Sequence, residues 1–277
     1  MKVHLIYFSP GGSTKKTVKN IAKGLLAKND LEVVEIDMLK KENREKKYEF
    51  GKDDLVILGM MTATKLYGVP NEVIGALNGN NTPFVGVVTC GNGYYGKSLI
   101  TMKKGMEKQG FNFVAGGGFI GQYSFTNEIA TNRPDEKDAK IQYDFGYEIY
   151  RKVIENNNMN FDAKLKIDWP DEGTFSTVKC ALISAIPGLG FKLPKSWNEL
   201  GVSDECTKCQ KCVRNCPVEA LSLQDKITQD RDKCIGCQAC VINCPQKAIK
   251  PVSPKLIKSV ADVVKYRDKR KEPEVFI

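Results

Sequence analysis

Two cysteine runs near the C-terminus constrain this chain more than any other feature. Eight of its ten cysteines lie between residues 206 and 244, and each run reads C-x2-C-x2-C-x3-C-P. The runs are offset by 28 residues, from Cys206 to Cys234, and form an internal repeat. The first run is Cys206, Cys209, Cys212 and Cys216, and the second is Cys234, Cys237, Cys240 and Cys244.

This spacing is typical of cysteines that bind two [4Fe–4S] clusters. The first three thiolates of each run bind one cubane cluster, and the fourth, which precedes proline, binds the other cluster. The rule predicts two sets of ligands. Cluster one takes Cys206, Cys209, Cys212 and Cys244, and cluster two takes Cys216, Cys234, Cys237 and Cys240.

Zinc is the main alternative, because C-x2-C pairs also build four-cysteine zinc sites. Two tetrahedral zinc sites have no use for a third cysteine at the next x2 step and a fourth before proline. Disulfides would need an oxidising compartment. The N-terminus lacks a signal-peptide core, and no segment has the ~20 apolar residues that span a bilayer. The sequence therefore predicts a cytoplasmic protein with no membrane span and with cysteines free to bind iron.

The formal net charge of +9 fits an acidic protein partner, a nucleic acid or a membrane surface. No helix-turn-helix or zinc-finger pattern is present, so no nucleic-acid partner is predicted. Basic residues gather only near the C-terminus, where they form either a solvated helix end or a docking patch. They are Lys265, Arg267, Lys269, Arg270 and Lys271.

The N-terminal part alternates short apolar runs with helical patterns, which predicts a doubly wound α/β sheet. The predicted strands are residues 2–8, 31–37, 54–59, 83–89 and 111–120. The predicted helices are residues 14–28, 71–77, 98–109 and 134–155, and the charged stretch 40–52 is interpreted as a solvated connection with room for a turn of helix. The predicted divisions are a domain over 1–155, an interdomain connection over 156–201, a cluster domain over 202–251 and a basic, helical tail over 252–277.

A loop suited to bind phosphate follows the first predicted strand. Backbone N–H groups at the start of a helix face an anion placed there, and glycine lets the anion approach. The loop lacks both the Walker A and the G-x-G-x-x-G patterns, and the alternative is simple capping of the helix by Ser13 or Thr14. Its residues are Ser9, Pro10, Gly11, Gly12, Ser13 and Thr14.

Two further loops follow the third and fourth predicted strands, at the edge where open α/β sheets bind ligands. Their glycines let the backbone approach a planar ring, and their tyrosines offer stacking surfaces. Each tyrosine alone fits core packing equally well, but together they favour a flavin. The residues are Thr62, Ala63, Tyr67 and Gly68 in one loop and Thr89, Cys90, Gly91, Asn92, Gly93, Tyr94, Tyr95 and Gly96 in the other.

On these motifs, residues 1–155 resemble flavodoxin and residues 202–251 resemble the bacterial two-cluster ferredoxins. The whole chain resembles the flavodoxin–ferredoxin fusions of anaerobic bacteria and archaea. The resemblance implies a five-stranded parallel sheet of order 2-1-3-4-5, a small α+β ferredoxin domain, and FMN bound with its phosphate on residues 9–14. The chain departs from flavodoxin at Gly11, where the family has threonine, and neither Trp169 nor Trp197 lies in the flavin loops.

Three single residues have two interpretations each. Lys65 either faces solvent or stabilises a reduced, anionic flavin. Cys90 either contacts the flavin or packs as a small apolar side chain, and the second interpretation is also given to Cys180. His4, the only histidine, is interpreted as structural, so no histidine-based catalytic site and no catalytic residue is predicted.

The two kinds of expected cofactor indicate electron transfer, since flavins exchange one or two electrons and clusters exchange one. The leading hypothesis is a carrier that moves electrons between FMN, the two clusters and redox partner proteins. The alternative is an oxidoreductase that reduces a small molecule at the flavin with cluster-derived electrons, and a weaker one is an iron–sulfur redox sensor. A flavin pocket that faces the cluster domain would favour the carrier.

Overall fold

The computed structural model describes residues 1–62, 69–126, 128–168, 198–266 and 269–277. Its largest unit is a six-stranded sheet in which five strands run parallel and one edge strand runs antiparallel. The strands of the N-terminal part are β1 (Lys2–Phe8), β2 (Val33–Asp37), β3 (Tyr48–Phe50), β4 (Asp54–Met61), β5 (Leu77–Gly79), β6 (Thr82–Cys90) and β7 (Phe111–Ile120), and the last strand of the chain is β12 (Glu274–Phe276).

Across the sheet the strands lie in the order β2, β1, β4, β6, β7, β12, while β3 and β5 form a separate parallel pair. The five parallel strands occupy the five predicted segments, although β2 begins at Val33 rather than at residue 31. The predicted sheet lacked one strand. β12 is only three residues long and comes from the C-terminal segment, where no alternation marks it as a strand.

The sheet is buried on both faces. Every residue of β6 is buried, as expected for a parallel strand covered by helices on each side. Side chains alternate along β1, so that Val3 and Leu5 face one apolar core while Ile6 and Phe8 face the other.

Five helices accompany this sheet. They are α1 (Ser13–Leu25), α2 (Lys41–Arg44), α3 (Glu72–Gly75), α4 (Ser98–Glu107) and α5 (Glu136–Ile149), and a π-helix over Tyr150–Glu155 extends α5. α1 and α5 pack closely, because a Cβ on Gly24 or on Gly146 would clash with the backbone of the other helix. The predicted helix over 71–77 is wrong beyond its first turn, where β5 begins.

The charged stretch 40–52 is not the solvated connection that the sequence predicted. It contains α2 and β3, and Arg44 at the end of α2 is buried. The Arg44 guanidinium donates hydrogen bonds to the carbonyl oxygens of Met38 and Leu39, and also to that of Pro217 in the cluster domain. The stretch therefore joins the two parts of the molecule.

A small unit with internal symmetry contains both cysteine runs. It has two antiparallel strand pairs and two one-turn helices, and corresponding elements are offset by 27 or 28 residues, close to the offset of the cysteine runs. The backbone repeats as well, since Gln210 and Gln238 have φ of 58° and 60° just before the two helices. The elements are β8 (Leu200–Val202), α6 (Lys211–Arg214), β9 (Leu221–Leu223), β10 (Ile227–Gln229), α7 (Ala239–Ile242) and β11 (Ile249–Pro251).

The C-terminal segment returns to the large sheet. A helix, α8 (Pro254–Tyr266), follows the cluster unit, and β12 then pairs antiparallel with β7 at the edge of the sheet. Arg270 forms ion pairs with Asp135 and Asp138, and Lys271 pairs with Asp168. These two tail cations are therefore neither a solvated helix end nor an open docking patch. Arg267 lies outside the described residues.

Part of the predicted interdomain connection packs on the sheet. Phe161, Ala163 and Leu165 contact the core that contains Ile6 and Phe8. Its apolar residues Trp169, Phe175, Ile183 and Ile186 lie outside the described residues, as does Cys180. Within the described ranges, no helix is both long enough and apolar enough to cross a bilayer.

Candidate cofactor sites

A pocket lies at the carboxyl ends of the parallel strands, and we call it the sheet-edge pocket. Four loops of the sheet and one loop of the cluster unit enclose it. The lining residues are Ser9, Pro10, Gly11, Ser13 and Thr14 after β1, Met61 and Thr62 after β4, Thr89, Cys90, Gly91 and Tyr94 after β6, Gly121, Gln122, Tyr123, Ser124 and Phe125 after β7, and Gly236 and Cys237 between β10 and α7.

The loop after β1 places the start of α1 at the pocket. Gly12 has a φ of 85° and precedes the helix, and Ser9 Oγ accepts a hydrogen bond from the Lys15 N–H at 3.0 Å. Neither Ser13 nor Thr14 caps the helix, since Ser13 Oγ donates to the carbonyl oxygen of Arg133 and Thr14 Oγ1 shares a hydrogen bond with Thr89 Oγ1. Ser9, Ser13 and Thr14 line the pocket together with the positive end of the helix dipole, an arrangement that suits a phosphate.

Some residues of the loop after β6 line the pocket, and others bind the C-terminal segment. Cys90 and Tyr94 are buried and line the sheet-edge pocket. Asn92 instead binds the C-terminal segment, donating from Nδ2 to the Lys269 carbonyl oxygen at 2.8 Å and accepting from the Lys271 N–H at 3.0 Å. Tyr95 donates its hydroxyl to Glu274 at 2.5 Å.

The structure thus separates the predicted flavin residues into three groups. Ten of them line the pocket: Ser9, Pro10, Gly11, Ser13, Thr14, Thr62, Thr89, Cys90, Gly91 and Tyr94. Five do not line it: Gly12, Asn92, Gly93, Tyr95 and Gly96. The remaining three, Ala63, Tyr67 and Gly68, lie outside the described residues, as does Lys65.

Sequence reasoning missed a fourth loop, which follows β7. The rings of Tyr123 and Phe125 lie 5.6 Å apart there and supply much of the aromatic surface of the pocket. This loop packs against the others, because a Cβ on Gly91 would meet the Tyr123 backbone and a Cβ on Gly121 would lie 2.7 Å from Ser13 Cβ. The rule that ligands bind at the carboxyl ends of strands would have identified it.

The eight predicted cluster ligands line two separate cavities. The first cavity contains Cys206, Cys209, Cys212 and Cys244, and the second contains Cys216, Cys234, Cys237 and Cys240. These are the two crossed sets that the sequence predicted. Nine cysteines are described, and all nine are free of disulfides.

The lining of each cavity suits a cubane cluster. Four thiols around a cavity are what a cluster needs, because a cubane is wider than one ion. The Ala220 N–H also points at Cys216 Sγ at 3.2 Å, and such donors stabilise thiolate ligands.

Burial differs among the eight thiols, and it raises the pKa of Cys212 in the first set as well as those of two thiols in the second. Burial raises the pKa of Cys237 to about 12 and also raises the pKa of Cys240. The exposed Cys209 thiol has a lowered pKa, because it accepts from the Lys211 backbone N–H. Iron must displace the protons of the buried thiols, so assembly of cluster two is coupled to proton release.

The cluster unit is fixed against the sheet-edge pocket. Asn243 Nδ2 donates to the Pro10 carbonyl oxygen at 2.9 Å, and Lys41 pairs with Glu219 at 2.7 Å. A Cβ on Gly11 would lie 3.2 Å from Ile242 Cδ1. Close packing of the cluster unit thus accounts for glycine at the position where flavodoxins have threonine.

One family model and several solved structures are similar to parts of this chain. Residues 205–248 match the family model described as a 4Fe-4S dicluster domain. No curated protein matches the chain. The chain is similar to a flavodoxin from the domain Archaea, at 18% identity and a TM-score of 0.39, over 55% of this chain and 99% of that one. It is also similar to the two-electron reduced flavodoxin of Megasphaera elsdenii, at 14% identity and a TM-score of 0.33, over 53% and 98%.

The dicluster match and the two four-cysteine cavities confirm the prediction of two [4Fe–4S] clusters. The N-terminal part has a flavodoxin-like arrangement of a parallel sheet covered by helices. The structural likenesses are too distant to transfer a ligand, so the assignment of a flavin depends on the pocket itself.

Proposed function

We propose that this protein transfers electrons between FMN in the sheet-edge pocket and redox partner proteins, by way of cluster two and then cluster one. One observation carries the proposal. Gly236 and Cys237, a predicted ligand of cluster two, line the same pocket as the Ser9 to Thr14 loop. The pocket faces the cluster domain, which favours a carrier over an enzyme that needs open space for a substrate.

The residues of the pocket suit FMN. The hydroxyls of Ser9 and Ser13 and the start of α1 would hold a phosphate. Tyr94, Tyr123 and Phe125 supply aromatic surface for a planar ring. Bound FMN would exchange one or two electrons and each cluster one, so the set would link two-electron with one-electron reactions.

Residues of the chain hold the cluster unit next to the sheet-edge pocket and so set the path of the electrons. Gly236 has a φ of 69°, and a Cβ there would lie 2.7 Å from Asn198 Oδ1, so glycine suits the loop that carries Cys237 to the pocket. Asn243, Lys41 and Arg44 hold the cluster unit against the loop after β1 and the segment after β2. Fixed contacts of this kind keep the redox centres at a constant separation. Free thiols and clusters also suit a reducing compartment such as the cytoplasm.

Cofactor analysis of the anaerobically purified chain tests the proposal. We expect about eight irons and about one FMN per chain. Ser13→Asp places a carboxylate in the phosphate loop and should abolish FMN binding while iron stays unchanged. Thr101→Asp, on the exposed face of α4, is the matched control and should keep both. Wild-type protein without FMN, or full FMN in the Ser13→Asp variant, would contradict the proposed site.

A further inference from the structure

The two cluster cavities differ in their access to solvent. Six of the eleven residues that line the cavity of cluster one are exposed, and Cys209 is among them. None of the fourteen residues that line the cavity of cluster two is exposed. An external redox protein can therefore come closest to cluster one. The exposed residues are Thr207, Cys209, Gln210, Lys211, Pro245 and Gln246, and we call this surface the cluster-one face.

Unpaired cations surround the cluster-one face. Lys208, Lys211, Arg214 and Lys247 are exposed, and none forms a salt bridge with another described residue. Elsewhere on the cluster unit Arg231 pairs with Glu199 and Lys233 with Asp230, while the exposed Lys226 forms no salt bridge with another described residue. Fixed positive charge is thus concentrated where the cluster is accessible.

The acidic residues nearby do not cancel this charge. Asp204 and Glu205 are the only carboxylates between residues 203 and 215. The Glu205 carboxylate accepts a hydrogen bond from the Ser203 hydroxyl. Lys208, Lys211, Arg214 and Lys247 outnumber Asp204 and Glu205 by two.

We propose that the cluster-one face is the docking surface for an electron carrier protein with an acidic surface. The inference rests on the proposed function and names the class of partner that exchanges electrons with cluster one. Arg270 and Lys271 of the basic C-terminal tail are less suited to the same task, since they are bound to Asp135, Asp138 and Asp168.

Electrostatic steering gives the expected effect. Complementary charge raises association rates by roughly 10- to 1000-fold at low salt and acts on the encounter more than on the final affinity. The advantage disappears near 1 M salt, where the Debye length is about 3 Å. Reversal of two of the four cations should therefore slow the reaction by at least about tenfold at low ionic strength.

The test uses anaerobic stopped-flow mixing of the loaded full-length protein with a chemically reduced, acidic two-cluster ferredoxin. Lys211→Glu/Arg214→Glu reverses two charges on α6. The control is Lys104→Glu/Lys108→Glu, at the C-terminal end of α4, which changes the net charge by the same amount. Both lysines are exposed, and neither forms a described salt bridge. Iron and FMN are measured in each variant first, so that loss of a cofactor is recognised as failure of the proposed function instead of failure of docking.

We expect the α6 variant to be reduced about tenfold more slowly than wild type at low ionic strength, the α4 control to match wild type, and all three rates to converge near 1 M salt. Equal slowing of both variants would show a net-charge effect and would overturn the assignment of the face. Unchanged rates in the fully loaded α6 variant would also overturn the assignment of the face. Binding to phosphatidylglycerol vesicles that the α6 changes abolish, without any change in the ferredoxin rate, would assign the face to a membrane and refute the proposal.

Discussion

Asn92 connects the C-terminal segment to the loop that encloses the sheet-edge pocket. Its side chain makes two hydrogen bonds to the backbone of Lys269 and Lys271, and its oxygen also lies 3.4 Å from Arg133 Nη1. The residue is buried and has a φ of 49°, which asparagine tolerates better than other residues with a side chain. Substitution therefore removes hydrogen bonds and changes backbone strain separately.

Two substitutions distinguish these contributions. Asn92→Gly removes the side chain but suits the backbone, and two buried hydrogen bonds at about 1 kcal/mol each give a loss of about 2 kcal/mol in the free energy of unfolding. Asn92→Ala adds the cost of a left-handed alanine, roughly 1 kcal/mol more. With a urea m-value of about 2 kcal/mol/M, the glycine variant should unfold about 1 M earlier.

Anaerobic urea titration of the loaded protein, followed by far-UV circular dichroism, measures the shift. FMN release should precede unfolding in both variants, because the loop that carries Tyr94 loses its anchor. A midpoint for Asn92→Ala equal to that of wild type, or a glycine variant less stable than the alanine variant, would refute the reasoning.

Three further predictions concern packing, metal and the interface. Asp138→Asn leaves the buried Arg133 guanidinium without its carboxylate partner and should lower the free energy of unfolding by about 3–5 kcal/mol. The control is Asp144→Asn, in an exposed pair with Lys140, which should change the free energy of unfolding by less than about 0.5 kcal/mol. Equal effects in thermal or urea unfolding would contradict the pairing. Iron removal should unfold residues 200–251 but leave the large sheet folded, since the small core there consists of cysteines and a few apolar residues, and an unchanged far-UV spectrum would speak against it. Gly11→Thr should push Ile242 away and slow electron exchange between the flavin and the clusters at full cofactor content. Adding Ile242→Ala to the same chain should restore the rate. A double variant as slow as Gly11→Thr would exclude this contact as the cause.

The cluster sites were predictable because their information is local. Spacings of two and three residues between cysteines decide which thiols share a cluster, and the crossed sets follow from the repeat. The loop after β1 was predictable for the same reason, since a strand, two glycines and a helix start lie within a few residues. The core strands were recognisable from continuous apolar runs.

Contacts between distant parts of the chain could not be predicted in this way. Asn92 was expected to approach a flavin, but it binds backbone 177 residues further along, and no local pattern announces such a partner. Arg44 lies in a stretch with many charges and is nevertheless buried, because the Pro217 carbonyl oxygen lies next to it. A Cβ on Gly11 would lie close to Ile242, which is 231 residues further along the chain.

The central claim is that flavin and clusters exchange electrons within one chain, across the pocket wall that Gly236 and Cys237 form. Laser-flash photoreduction of the flavin in loaded protein, followed at wavelengths specific for flavin and for clusters, measures this exchange directly. We predict that cluster reduction follows flavin reduction at a rate independent of protein concentration. A rate that rises in proportion to protein concentration, or clusters that stay oxidised, would contradict it.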